Sequence, residues 1–155
     1  MRKGQAAIEY LIILAVVVII ALIVIGVIGG FPGMTRGVSE RDSAAYWAGA
    51  DIGITRYYLS NFTTTSQLVL RNNRLFSVNV TAITFDGSSV FATSTPLSPG
   101  SSTAVNLTAA SCTTAGQTVT KNVVITYKDA TYGVTYTFTG EKPLVGTCQE
   151  GYIAQ

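Results

Sequence analysis

Residues 1–30, MRKGQAAIEYLIILAVVVIIALIVIGVIGG, decide how the rest of the chain is read. Residues 11–28 form an unbroken apolar run, β-branched for most of its length and free of charge. A basic head, Arg2 and Lys3, closes on Gly4, and a single acid, Glu9, stands just ahead of the run. At about 1.5 Å per helical residue, residues 5–30 span roughly 39 Å, enough to cross a bilayer. A helix that is apolar all round has to be covered all round, by lipid or by protein. Everything downstream is polar, rich in Ser and Thr, and patterned as strands.

Three readings of this segment compete. A secretory signal peptide has an apolar region of about 7–15 residues that ends at small residues. This run is longer, and Gly29-Gly30-Phe31-Pro32 is a poor cleavage site. A permanent transmembrane anchor fits the length, with Arg2 and Lys3 keeping the N-terminus cytoplasmic. Neither explains Glu9, because an acid in an apolar helix costs about 2.5–3.5 kcal/mol at the bilayer centre and less near its edge. Either Glu9 rests among the headgroups, or it has a functional partner.

The third reading comes from a resemblance. Arg2-Lys3-Gly4, then Gln5-Ala6-Ala7-Ile8-Glu9-Tyr10, then an apolar helix, resembles the class III signal peptide of archaeal type IV prepilins. The motif covers residues 1–30; the remainder is similar only in layout, an apolar helix followed by a small β domain. The resemblance implies cleavage between Gly4 and Gln5 by a membrane prepilin peptidase. It also implies that Gln5, Glu9 and Tyr10 serve assembly, with the helix forming the core of a helical homopolymer. The new α-amine at Gln5 would be a counter-ion for Glu9, within one helix or from a neighbouring copy. Such a pair adds little stability but penalises registers in which either charge is orphaned. Ala6, Ala7, Ala15 and Ala21 offer small surfaces for close helix approach. Further implied partners are an assembly ATPase and a membrane platform protein; no cofactor is implied.

Composition bounds the rest. Of 155 residues, about 125 follow the apolar segment, room for one domain. The net charge is +2, and without Arg2 and Lys3 eight basic and eight acidic side chains remain, so no basic stripe for nucleic acid is present. Histidine is absent, which excludes histidine acid–base chemistry and histidine metal sites. Asp86, Asp129 and Glu141 are separate acids beside turns, where solvated surface positions are expected. Without clustered carboxylates, a calcium site is not expected, and no glycine-rich phosphate loop occurs. An enzyme is not expected, and neither is a metal or cofactor.

Cys112 and Cys148 suit one disulfide in an oxidising exterior, the alternative being two buried thiols. Three sequons, at Asn61, Asn79 and Asn106, are candidate N-glycosylation sites on an extracellular body.

Along the chain, Gly26, Gly29, Gly30, Pro32 and Gly33 predict a kink or break. A short helix is expected next, with Ser39 and Asp42 resembling a capping box. Ala44, Ala45, Ala48 and Ile52 would make its inward face, with Trp47 flanking. Tyr46, Trp47, Tyr57 and Tyr58 fit core packing under the head better than an interfacial aromatic belt. Val123, Ile125 and Tyr127 alternate with polar neighbours, as do Val134, Tyr136 and Phe138, so a hairpin turns between Asp129 and Gly133. Phe76, Val78 and Val80 have one parity and Ile83 and Phe85 the other, which predicts a β-bulge near Thr81-Ala82. Asn79 and Thr81 would then point outward. Asp86-Gly87 and Pro99-Gly100 are turn signals.

The expected fold class is α+β: a long N-terminal hydrophobic helix followed by an antiparallel, immunoglobulin-like β-sandwich head of six or seven strands. The expected organisation is a leader over residues 1–4, a membrane or filament-core helix over 5–31, a hinge and short helix over 32–51, and an extracellular β domain over 52–155. Two function classes remain. One is a pilin subunit of a cell-surface adhesion filament, with a minor pilin or secretion pseudopilin as its close variant. The other is a membrane-anchored extracellular binding domain that never polymerises.

Overall fold

The computed structural model of the protein describes residues 2–29, 32–62, 66–109 and 112–151, with helix side chains described over 7–24 and 39–48. The chain divides into two compact units, Met1–Gly37 and Val38–Gln155.

The first unit contains α1 (Arg2–Gly29) and the beginning of α2 (Pro32–Ala48). Over Ala7–Val24 the mean hydropathy of α1 is 3.1 and none of that window is buried. By length and composition this helix can cross a membrane. The expected weak point falls where α1 ends at Gly29 and α2 begins at Pro32. Proline suits a first helical position, where its missing N–H has no partner to lose. Gly30 and Phe31 lie outside the described residues.

In the second unit the end of α2 packs on the head, and here two expectations are corrected. Because α2 starts at Pro32, Ser39 is a helix-interior residue and not an N-cap. The buried positions are Ser43, Trp47, Ala50 and, as expected, Ile52, whereas Ala44 is half-buried and Ala45 and Ala48 are exposed. Trp47 is fully buried, and its large apolar area decides which side of the helix faces inward. Its ring stands edge-on to Phe138 at 5.9 Å and to Tyr46 at 5.5 Å. A Cβ on Gly140 would collide with the Trp47 ring carbons Cη2 and Cζ2, so glycine is required there for space. Ser43 is satisfied on both sides, donating to the Pro143 carbonyl at 2.9 Å and accepting from the Val145 N–H at 2.8 Å.

Among the described residues ten strands follow: β1 (Ile52–Tyr58), β2 (Gln67–Asn72), β3 (Val78–Phe85), β4 (Ser88–Phe91), β5 (Thr95–Leu97), β6 (Ser102–Asn106), β7 (Thr118–Lys121), β8 (Val123–Asp129), β9 (Thr135–Thr139) and β10 (Leu144–Thr147). Their ladders are all antiparallel. One layer runs β1-β2-β6, with β10-β7 alongside through a parallel bridge between Ser60 and Gln149. The other runs β4-β3-β8-β9, with β5 also paired to β3. A single core lies between them, with Ile52, Leu68 and Leu70 from the first and Val80, Ile83 and Ile125 from the second. The strand number exceeds the six or seven expected, because pieces of three or four residues such as β5 and β7 are too short to show alternation.

The bulge in β3 is present. The register with β8 shifts between Val80 and Ala82, so Val78, Val80, Ile83 and Phe85 are all buried despite their mixed parity. Asp86 and Gly87, with φ of 51° and 82°, form the two-residue turn between β3 and β4. Between β8 and β9, Gly133 (φ 73°) donates to the Asp129 carbonyl at 3.0 Å. Val134 falls outside β9 and is half-exposed, so the inward residues of that strand are Tyr136 and Phe138.

Candidate functional site

The candidate site begins with α1. Gly4 and Gln5 lie within this helix, and the helical repeat places Gln5 and Glu9 one turn apart. Glu9 and Tyr10 are exposed, Tyr10 at 65%. From Ile8 to Val24, every large apolar side chain keeps 47–65% of its surface open. An apolar surface of that extent does not persist in water, so it is a binding surface for lipid or for other helices.

Cys112 and Cys148 form a disulfide with Cα atoms 5.9 Å apart. It ties the segment before β7 to the residue that follows β10, across 36 positions of sequence. An open groove of about 360 Å³ runs beside it, lined by Cys112, Gln117 and β7. The lining holds no acid–base pair, since Lys121 is engaged with Asp86 at 3.0 Å.

The three sequons differ in setting. Asn106 is exposed at the end of β6, and Thr108 is exposed with its hydroxyl donating to the Val90 carbonyl at 3.0 Å. Asn79 is half-buried in β3 between Pro96 and Lys128, on the same face as Thr81, whose hydroxyl donates to Thr126 O at 3.2 Å. Asn61 is half-buried and its Oδ1 accepts from the Gly151 N–H at 2.9 Å. Thr63, the third residue of that sequon, lies outside the described residues.

Of the turn acids, Asp129 is corrected. It is buried, and its carboxylate accepts from the Thr131 and Tyr132 N–H groups at 2.6 and 3.0 Å. Its place is structural, pinning the hairpin. Asp86 is exposed, and its pKa is held below the ordinary carboxylate value, first by the Asn122 N–H and then by Lys121.

Sequence reading missed a polar network at the corner between α2 and β1. Asp51 pairs with Arg74 at 3.3 Å and accepts from the Tyr127 hydroxyl at 2.9 Å. The Arg74 guanidinium lies 5.0 Å above Phe76, and Tyr136 stacks on Tyr127 at 5.4 Å. Burial, then the hydrogen bond to Asp51, pushes the Tyr127 pKa up to about 12. Beside it, Asn72 is fully buried, donating to Phe76 O and Leu97 O and accepting from the Arg74 N–H. No local pattern marks these residues, because their partners lie up to 76 positions away. Among the described residues no three His, Cys, Asp or Glu side chains are grouped as metal ligands.

The comparison with curated proteins gives no match. Residues 2–28 match the class III signal peptide family, a span that starts where α1 starts and stops one residue before its end. Such a signal implies processing by a prepilin peptidase, and by length and composition the apolar helix is able to insert into a membrane. Over residues 2–28 the chain is thus similar to class III signal peptides.

Proposed function

We propose that the protein is the structural subunit of an archaeal type IV adhesion pilus, a surface filament in which many copies associate through α1. The single observation that carries this is the class III signal match over residues 2–28, lying on a helix whose apolar side chains are uncovered on every side. In this reading Arg2 to Gly4 are removed, Gln5 becomes the first residue, and Glu9 neutralises its new amine across a subunit contact. Burial of unmatched charge then selects one register among the many that an all-apolar helix would tolerate. The head coats the filament outside the cell, stapled by its disulfide and carrying glycans at accessible sequons. It acts by binding and assembly, without catalysis, metal or cofactor.

Mass spectrometry of the protein from cells tests the processing step, with Gln5 expected first. An intact Met1 would leave a permanently anchored, non-polymerising domain instead. Glu9→Ala is expected to leave cleavage intact and abolish filaments seen by electron microscopy. Normal filaments from that variant would refute the role given to Glu9.

A further inference from the structure

One end of the head carries large apolar side chains in full contact with solvent. Leu75, in the β2–β3 loop, is 97% exposed, and Tyr132, in the β8–β9 hairpin, is 83% exposed. These connections adjoin, because β3 and β8 pair at that end (Val78 with Asp129) and the Ala130 N–H donates to Ser77 O at 2.9 Å. Val134, half-exposed, belongs to the same hairpin. Neither loop is loosely built. Asn72 holds two backbone groups of the first loop, Arg74 N–H and Phe76 O, and ties it to Leu97 O of β5, while the buried Asp129 carboxylate holds two N–H groups of the second. The apolar tips are therefore displayed on clamped supports, the arrangement expected of a preorganised contact surface.

The charges around the tips are one-sided. Asp51 is paired with Arg74 and bonded to Tyr127, and Asp129 is buried. Arg71 and Lys128 are exposed and have no ion pair among the described residues. The apolar tips are thus flanked, on the outer faces of the two layers, by two cations near the strand ends that lead into these loops, and the complement of this end is both apolar and anionic. Its size also discriminates. Three such side chains supply roughly 500 Å², short of the roughly 800 Å² per partner of a stable protein interface. Shallow insertion into a bilayer needs no such area, because Tyr suits the headgroup level and basic residues add attraction to anionic lipid.

We propose that the Leu75–Tyr132 end of the head docks on bilayers rich in anionic lipid. This deepens the attachment part of the proposed function by naming the class of surface attached to, and its test needs no filament. The full-length chain is placed singly in phosphatidylcholine nanodiscs, which occupy α1, and is then floated with vesicles. The vesicles are either phosphatidylcholine alone or equal parts phosphatidylcholine and phosphatidylglycerol. Flotation is expected only with the anionic vesicles and is expected to fall with added salt. Leu75→Ser combined with Tyr132→Ser should weaken it by more than about tenfold. Arg71→Gln and Lys128→Gln should each weaken it about fivefold while leaving the apolar tips and the fold in place. Equal flotation with neutral vesicles, or flotation indifferent to all these substitutions, overturns the proposal. So does self-association of the nanodiscs that is lost in the double variant, which would make a second copy the occupant. Anionic flotation by a chain that forms no filaments in cells would refute the pilus reading and leave the docking surface standing.

Discussion

Removal of the Cys112–Cys148 bridge gives the most direct measure of how the head is held together. The bridge closes a 36-residue separation. In the chain-entropy treatment, opening a loop of that length restores about 13 cal/mol/K to the unfolded chain, or about 4 kcal/mol at 25 °C. The head unit spans Val38–Gln155. With an unfolding entropy of about 2.1 cal/mol/K per residue, such a unit loses about 15 °C in Tm for that change. The residues chosen as replacements matter. Cys148 is buried at 1% exposure, so a serine there would bury a hydroxyl and add a penalty unrelated to the bridge. The variant of choice is therefore Cys112→Ser with Cys148→Ala. Trp47 is the single tryptophan of the chain and lies at the centre of the core, so its fluorescence reports the head alone. Full-length protein in detergent, titrated with urea, should show the midpoint falling by about 2 M if m is about 2 kcal/mol/M. Reductant added to the wild type should reproduce the same shift. A loss below about 1 kcal/mol, or a reductant effect unlike that of the variant, would refute the reasoning.

Two further outcomes test the packing and the polar corner. Gly140→Ala should destabilise the head by about 1–3 kcal/mol through overpacking against Trp47. Trp47→Leu in the same chain should relieve part of that loss, and strict additivity in the thermal melts of the three variants would contradict the close approach. Tyr127 has a pKa raised from 10.0 to about 12, so the unfolded chain loses this proton first as pH rises. Its contribution is complete below pH 10 and is lost between about pH 10 and 12; Tyr127→Phe should flatten that part of the stability–pH curve, and an unchanged slope would remove the argument.

Local rules recovered a good part of this fold. The parity change between Val80 and Ile83 announced the β3 bulge, Asp86-Gly87 announced its turn, and the glycines before Pro32 marked the place where α1 gives way to α2. What stayed hidden depends on partners distant in sequence. The inward side of α2 was assigned to alanines because they recur at helical spacing, but one indole buries more apolar surface than three methyl groups and took the inward place. Trp47 even does so with its Nε1–H buried and without an acceptor among the described residues. Asp129 read as a surface acid because the turn chemistry that buries it needs two N–H groups arranged by the hairpin itself. The site divides in the same way. The class III signal over residues 2–28 was legible, because such a signal is a linear motif. The Leu75–Tyr132 end was not, because adjacency of two loops 57 positions apart exists only after β3 has paired with β8.

The position of the last strand fixes an order of events in time. Residues 144–149 form the seam of one layer, with β7 on one side and the end of β1 on the other, where Gln149 donates to Leu59 O at 2.7 Å and accepts from the Asn61 N–H at 3.3 Å. A chain is made from its N-terminus at about 5–20 residues per second, so α1 is complete several seconds before that seam strand exists. The membrane-seeking segment meets its environment while the head is still an open sheet with an empty place in it. Head closure therefore waits until residues 144–149 have been made, after α1 is complete.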